Sequence, residues 1–265
     1  MSWVIYMGHT SSKIVVKLHF FDVILFLLNG RLGMSEFGND YFEENGQAED
    51  RIALKFYAKV FSKTFPNSGS KKPVILEYGS GVGHLVKRLA ADFNCYAQDI
   101  SEYALSQVKI NAPKVRVIKK TAVLKKESLD GIISLHVLEH IKKPLDTLKE
   151  FNRLLKEDGN LFVVVPNPEG LGHKLKKKDW FAFTDKTHVS LLKKKEWEDL
   201  FNKAGFKIFW VRGDGLWDVP YIKGIPLSIQ KLIFFPPAFL QILFGKVFLP
   251  VVLGECLVIM AKKVN

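Results

Sequence analysis

The chain has 265 residues, 48% hydrophobic and 25% charged, a composition that excludes a disordered or collagen-like protein. That length suits one α/β domain with additions and allows a substantial core. Lys plus Arg number 39 against 27 Asp plus Glu, a formal charge of +12. Such a field attracts phosphates, anionic lipid or acidic glycans. The lysines fall in short, dispersed groups at 71–72, 119–120, 142–143, 176–178, 193–195 and 262–263, mostly without interleaved aromatics, so they read as a solvated surface rather than a nucleic-acid groove. Cys95 and Cys256 are too few for a disulfide framework and sit in strand-like apolar runs, as buried thiols in a reducing cytoplasm would.

Residues 1–33 differ from the rest. The apolar run 14–28 carries Lys17, His19 and Asp22, which disfavours a spanning helix, and it lacks the basic start and small-residue cleavage site of a signal peptide. It reads as an appendage or a mis-called start, because Met34 opens a polar stretch typical of a soluble protein. Residues 34–72 form a helical lead-in, with helical apolar spacing over 51–61 and a break at 66–73. The main domain, 73–265, then alternates strands and helices. Strands are predicted at 74–78, 95–98, 115–118, 131–135 and 161–165, with helices at 85–93, 102–110 and 145–155, the last ended by Asp158-Gly159. This rhythm implies a doubly wound, Rossmann-like parallel sheet in three αβα layers. A polar and aromatic segment at 167–190 precedes a helix at 194–204 and strands at 207–211 and 255–260. These last two strands are expected to pair antiparallel at a sheet edge, completing seven. Between them lies an apolar cap insert, 222–253. Pro236, Pro237 and Pro250 are expected to break it into short helices that close the acceptor site or lie in a membrane interface, and not to cross a bilayer.

Chemistry concentrates after the first strand. Glu77 stands at its end, followed by Gly79, Gly81 and Gly83, a turn that lets a ligand lie against backbone amides. The dinucleotide fingerprint needs its third glycine at His84, which counts against a nicotinamide cofactor. Asp99 ends the second strand, where a carboxylate can accept the hydroxyls of a ribose, so a nucleoside-containing cofactor is expected.

Glu77-x-Gly79-x-Gly81-x-Gly83, Asp99 and the block 130–140 (DGIISLHVLEH) resemble class I S-adenosylmethionine-dependent methyltransferases. More narrowly, they resemble the small-molecule subgroup that includes ubiquinone methyltransferases. Residues 154–167, 187–192 and 204–206 resemble later blocks of that family, in the same order. The resemblance implies S-adenosylmethionine as cofactor. Gly79 and Gly81 would pass beneath its methionine part, Asp99 would hold the ribose, and Leu135 with His136 would flank the sulfonium. Glu77, Gly83 and Thr121 complete the implied cofactor set, Thr121 standing where relatives often place an acid for adenine. His140 and His188 are the candidate bases, since histidine accepts a hydroxyl proton near neutral pH.

His136-x-x-Glu139-His140 also matches a zinc-peptidase pattern, but it starts at a strand end rather than within a long helix. Some catechol and RNA-end methyltransferases hold a divalent ion with Glu and His here. They carry an acid where this chain has His136, so no metal is expected. The expected activity is methyl transfer to an oxygen of a small-molecule, lipid or glycan-linked acceptor, in the cytoplasm, with peripheral contact at an anionic inner membrane face. The alternatives are an RNA methyltransferase and a nonenzymatic, cofactor-binding, membrane-docked partner.

Overall fold

The computed structural model describes residues 52–65 and 71–264. The expectations for 1–33, and those for 34–51 and 66–70 in the lead-in, lie outside the described residues.

Seven strands form one sheet in the order β3-β2-β1-β4-β5-β7-β6. They are β1 (Val74–Tyr78), β2 (Asn94–Gln98), β3 (Arg116–Ile118), β4 (Leu129–Leu135), β5 (Leu155–Pro166), β6 (Phe206–Gly213) and β7 (Cys256–Lys263). The first five pair parallel, and β7 runs antiparallel between β5 and β6. β6 is therefore the edge strand on that side, with β7 one place inside it, and β3 forms the opposite edge.

Helices cover both faces: α1 (Ile52–Ser62), α2 (His84–Leu89) and α3 (Glu102–Asn111) on one, α4 (Pro144–Leu154) and α7 (Lys194–Lys203) on the other. Side chains alternate across a strand, so neighbouring apolar residues enter different cores. Ile75, Ile133 and Phe162 pack with Phe61, Leu85 and Val108. Leu76, Ile132 and Leu161 pack with Phe151, Trp197 and Phe201. Cys95 and Cys256 are buried free thiols in β2 and β7, as expected.

The structure corrects several boundaries. α4 stops at Leu154, one residue short of the expected 155, and Asp158-Gly159 does not end it, because Leu155 already pairs with Leu129. The register then jumps to Gly131 opposite Asn160, so residues 156–159 bulge out, with Asp158 at φ +59°. The segment after β5 holds two short helices, α5 (Leu171–Lys176) and α6 (Phe181–Thr184).

The largest correction concerns the cap insert, which forms one continuous helix, α8 (Leu227–Phe244), with Pro236 and Pro237 inside it. Each proline removes one ladder hydrogen bond, but the helix is held on both sides of the pair. Gln230 Oε1 accepts from the amides of Tyr221 and Ile222, and its Nε2 donates to the carbonyls of Ile222 and Ile225. Gln241 Oε1 accepts from the amides of Phe248 and Leu249.

Candidate functional site

The carboxyl ends of β1, β2 and β4 open on one edge of the sheet, where ligands of such sheets bind. The end of β6 and the start of β7 reach the same edge, since Cys256 pairs with Pro166 at the end of β5.

The glycine turn is rigidly placed. Gly79 and Ser80 donate their amides to Gln98 O at 2.8 and 2.9 Å, and Gly81 donates to Asp99 Oδ2 at 2.9 Å. Asp99 Oδ1 accepts from Ser101 N at 2.9 Å. Gly79, Gly81 and Gly83 have φ of +74°, +50° and +89°, which L side chains rarely adopt. A Cβ on Gly79 would come 2.2 Å from Val137 Cγ2, so the turn packs directly on the β4 exit. Burial pushes the Asp99 carboxyl up, opposed by the Ser101, Gly81 and Ile100 amides. Each of its oxygens keeps a second lone pair for a ligand hydroxyl. Glu77 lies under the turn: it is buried, a backbone hydrogen bond from Val86 holds it, and burial pushes its carboxyl well up.

Leu135 closes β4, and His136 follows at φ +54°, a strained position for a non-glycine residue. Its Nδ1 lies 3.3 Å from Glu139 Oε1 and its Nε2 3.9 Å from Cys256 Sγ. Glu139 is fully buried, and neither carboxylate oxygen takes a hydrogen bond among the described residues. Thr121 opens the short turn 121–123 after β3, near Glu150 of α4, whose carboxyl Arg153 and, to a lesser degree, Thr121 hold below its usual value.

The two candidate bases meet. The His140 and His188 rings lie 4.6 Å apart, because the 187–190 loop docks through the Val189 and Ser190 amides onto Glu139 O. Thr187 Oγ1 donates to Asp185 Oδ1 at 2.6 Å, so at 2.7 Å it accepts from His140 Nδ1–H. His188 Nδ1 donates to the Ala182 carbonyl at 2.7 Å. In both rings Nε2 is therefore the basic nitrogen. Burial pushes the His140 pKa down, against the opposing charge of Glu139. Burial raises the Asp185 carboxyl, but two hydrogen bonds from Thr187 and the nearby histidines bring it net below its usual value. One donor atom each from Glu139, His140 and His188 lie within 4.8 Å of one another. With both Nδ1–H groups tied to oxygen, these three have the chemistry of a divalent-cation site as well as of a base pair.

Sequence reasoning missed the acids of the β6–β7 connection. Asp214 accepts from Tyr57 Oη and Cys256 N, both at 2.8 Å, and Glu255 accepts from Tyr221 Oη and from Trp180 Nε1, the latter at 2.8 Å. Their partners lie far away in sequence, and no local pattern marks them. Burial pushes the Glu255 carboxyl from 4.5 up to about 7, with Asp214 and Asp218 adding to it. The folded protein thus holds this proton more tightly than the unfolded chain. The resulting stability is present below the unfolded value and is lost as pH rises through about 7. We expect thermal melts of wild type to lose about 2–3 kcal/mol relative to Glu255→Gln between pH 5 and pH 8. Parallel curves would contradict this.

A model of the methyltransferase-domain family matches residues 48–209. The chain belongs to that family. Among solved structures, this methyltransferase-family chain resembles one from the complex of the Haloferax volcanii Trm112 methyltransferase activator with a methyltransferase. That match has TM-score 0.59 and 13% identity, covering 85% of this chain and 97% of the other. It also resembles a SAM-dependent methyltransferase from Archaeoglobus fulgidus, with TM-score 0.56, 17% identity and coverage of 84% and 99%. A third, from Thermotoga maritima, gives TM-score 0.55, 22% identity and coverage of 80% and 91%. At these identities the likeness shows the shared fold. An uncharacterized protein of Methanocaldococcus jannaschii is 34% identical over 109 residues, 41% of this chain, and the match spans about half (47%) of that relative.

The family implies S-adenosylmethionine as methyl donor, and the residues present fit it. The glycine turn, held at positive φ, exposes bare backbone at the carboxyl end of β1, and Asp99, tied to Gly81 N, stands beside it with acceptor capacity for a ribose.

Proposed function

We infer that the protein transfers a methyl group from S-adenosylmethionine to an oxygen of a small-molecule, lipid or glycan-linked acceptor. Gly79, Gly81 and Asp99 would hold the donor, with Leu135 and His136 beside its sulfur. When bound, it supplies a methyl group already activated on a sulfonium. The chain's own work is then alignment and proton removal. The observation that carries transfer to oxygen is the His140–Thr187–Asp185 chain, which ties His140 Nδ1 to a carboxylate-backed hydroxyl and supports the imidazole as acceptor of a hydroxyl proton. The resemblance of 187–192 and 204–206 to ubiquinone methyltransferases supports an amphiphilic or small acceptor over RNA. Two unpaired, buried thiols support a cytoplasmic setting.

Incubating the protein with methyl-labelled S-adenosylmethionine and host extract tests this. Label is expected in an organic-soluble or glycan fraction, and a chelator should leave transfer unchanged. Label in RNA alone would contradict the acceptor class. Loss of transfer with chelator, restored by Mg²⁺, would reassign Glu139, His140 and His188 as cation ligands.

A further inference from the structure

We propose that α8 docks flat on an anionic bilayer surface, presenting the donor site to an acceptor carried in that bilayer; only the second half of this rests on the methyl-transfer reading. The helix is inverted relative to a soluble one. Its buried residues are Gln230, Ala238 and Gln241. Large apolar residues face outward, including Leu232 at 76%, Phe239 at 60% and Leu243 at 60% exposed. Ile229, Leu232, Ile233, Phe239, Leu240 and Leu243 recur at three- and four-residue spacing and so form one stripe. A helix that merely closed a pocket would bury these side chains, and 17% of this one is buried.

Charge selects the occupant. From residue 219 to 254 the only charged side chains are Lys223, Lys231 and Lys246, all exposed. The Lys223–Asp179 pair sets one end beside the exposed Lys177 and Lys178, and Lys63 donates to the carbonyls of Phe244 and Gly245 at the other. Apolar residues flanked by lysines match an acyl boundary under anionic headgroups. Two copies meeting through α8 would instead oppose lysines without an acid in the segment.

By length and composition α8 could cross a membrane. However, Gln230 and Gln241 bind its two ends to loops that return to β6 and β7, neighbours in one sheet. A span would pull those neighbours to opposite sides of the bilayer, whereas a helix lying in the interface keeps them together.

Flotation with phosphatidylcholine vesicles, with and without phosphatidylglycerol, tests the proposal on the full chain. Wild type is expected to float with the anionic vesicles and to be released by salt. The exposed-site variant Leu232→Asp/Phe239→Asp/Leu243→Asp should lose partitioning by at least about tenfold while keeping its circular dichroism spectrum and its affinity for S-adenosylmethionine. If wild type does not float, or the triple variant floats equally well, docking is wrong. Concentration-dependent dimers abolished by the same variant, without flotation, would make a second copy the occupant and overturn it too. Because donor affinity is measured separately, failure of docking and failure of the methyl-transfer reading are distinguishable.

Discussion

His140→Ala is expected to lower turnover about 10²- to 10⁴-fold, the range of a general base, while leaving affinity for S-adenosylmethionine little changed. His140 Nδ1 donates to Thr187, which donates to Asp185, so the carboxylate stabilises the imidazolium that forms when Nε2 takes a proton. Burial lowers the His140 pKa, so the ring stays neutral, and competent as a base, to below its ordinary 6.5. The acid limb of the turnover profile should therefore lie below 6.5. Asp185 raises the His140 pKa, and Asp185→Asn should move that limb further toward acid and reduce turnover. His188→Ala should also cut turnover, since its ring packs 4.6 Å from His140 and its Nδ1 is tied to Ala182 O. Wild-type turnover in both histidine variants would mean that neither is the base and that alignment alone carries the reaction.

Asp99→Ala is expected to weaken S-adenosylmethionine by about 1–3 kcal/mol, the cost of losing a charged acceptor for the ribose hydroxyls, or about 5- to 150-fold. The substitution removes two supports at once. Gly81 loses the acceptor at 2.9 Å that fixes the middle of the turn, and Ser101 loses its own acceptor at the start of α3. S-adenosylhomocysteine contains the same ribose and should weaken in parallel. A folded variant with unchanged affinity would sink the ribose assignment.

The alternation of the sheet was readable because each buried strand feeds two cores: Ile75 and Leu76, or Phe162 and Val163, face opposite layers, and only apolar runs can do so. The glycine turn was readable because the backbone there requires positive φ. α8 was misread because Pro236-Pro237 is a strong local breaker, while the contacts that override it belong to Gln230 and Gln241, polar residues whose partners lie in loops before and after the helix. Sequence also singled out His140 and His188 without revealing their tether, since Thr187 and His140 are 47 positions apart. Thr121 was read for a ligand because of its place after the third strand, and its nearness to Glu150 of α4 is a tertiary contact that the local sequence does not show. Glu255 and Asp214 were invisible for the same reason: an acid beside an apolar strand gives no hint of a distant Tyr or Trp that will satisfy it.

Donor recognition is measured most directly by titrating the folded wild-type protein with S-adenosylmethionine in a calorimeter. Saturable binding, competed by S-adenosylhomocysteine and not reproduced by NAD, is the expected result. No heat with S-adenosylmethionine, or tight NAD binding in its place, would contradict it.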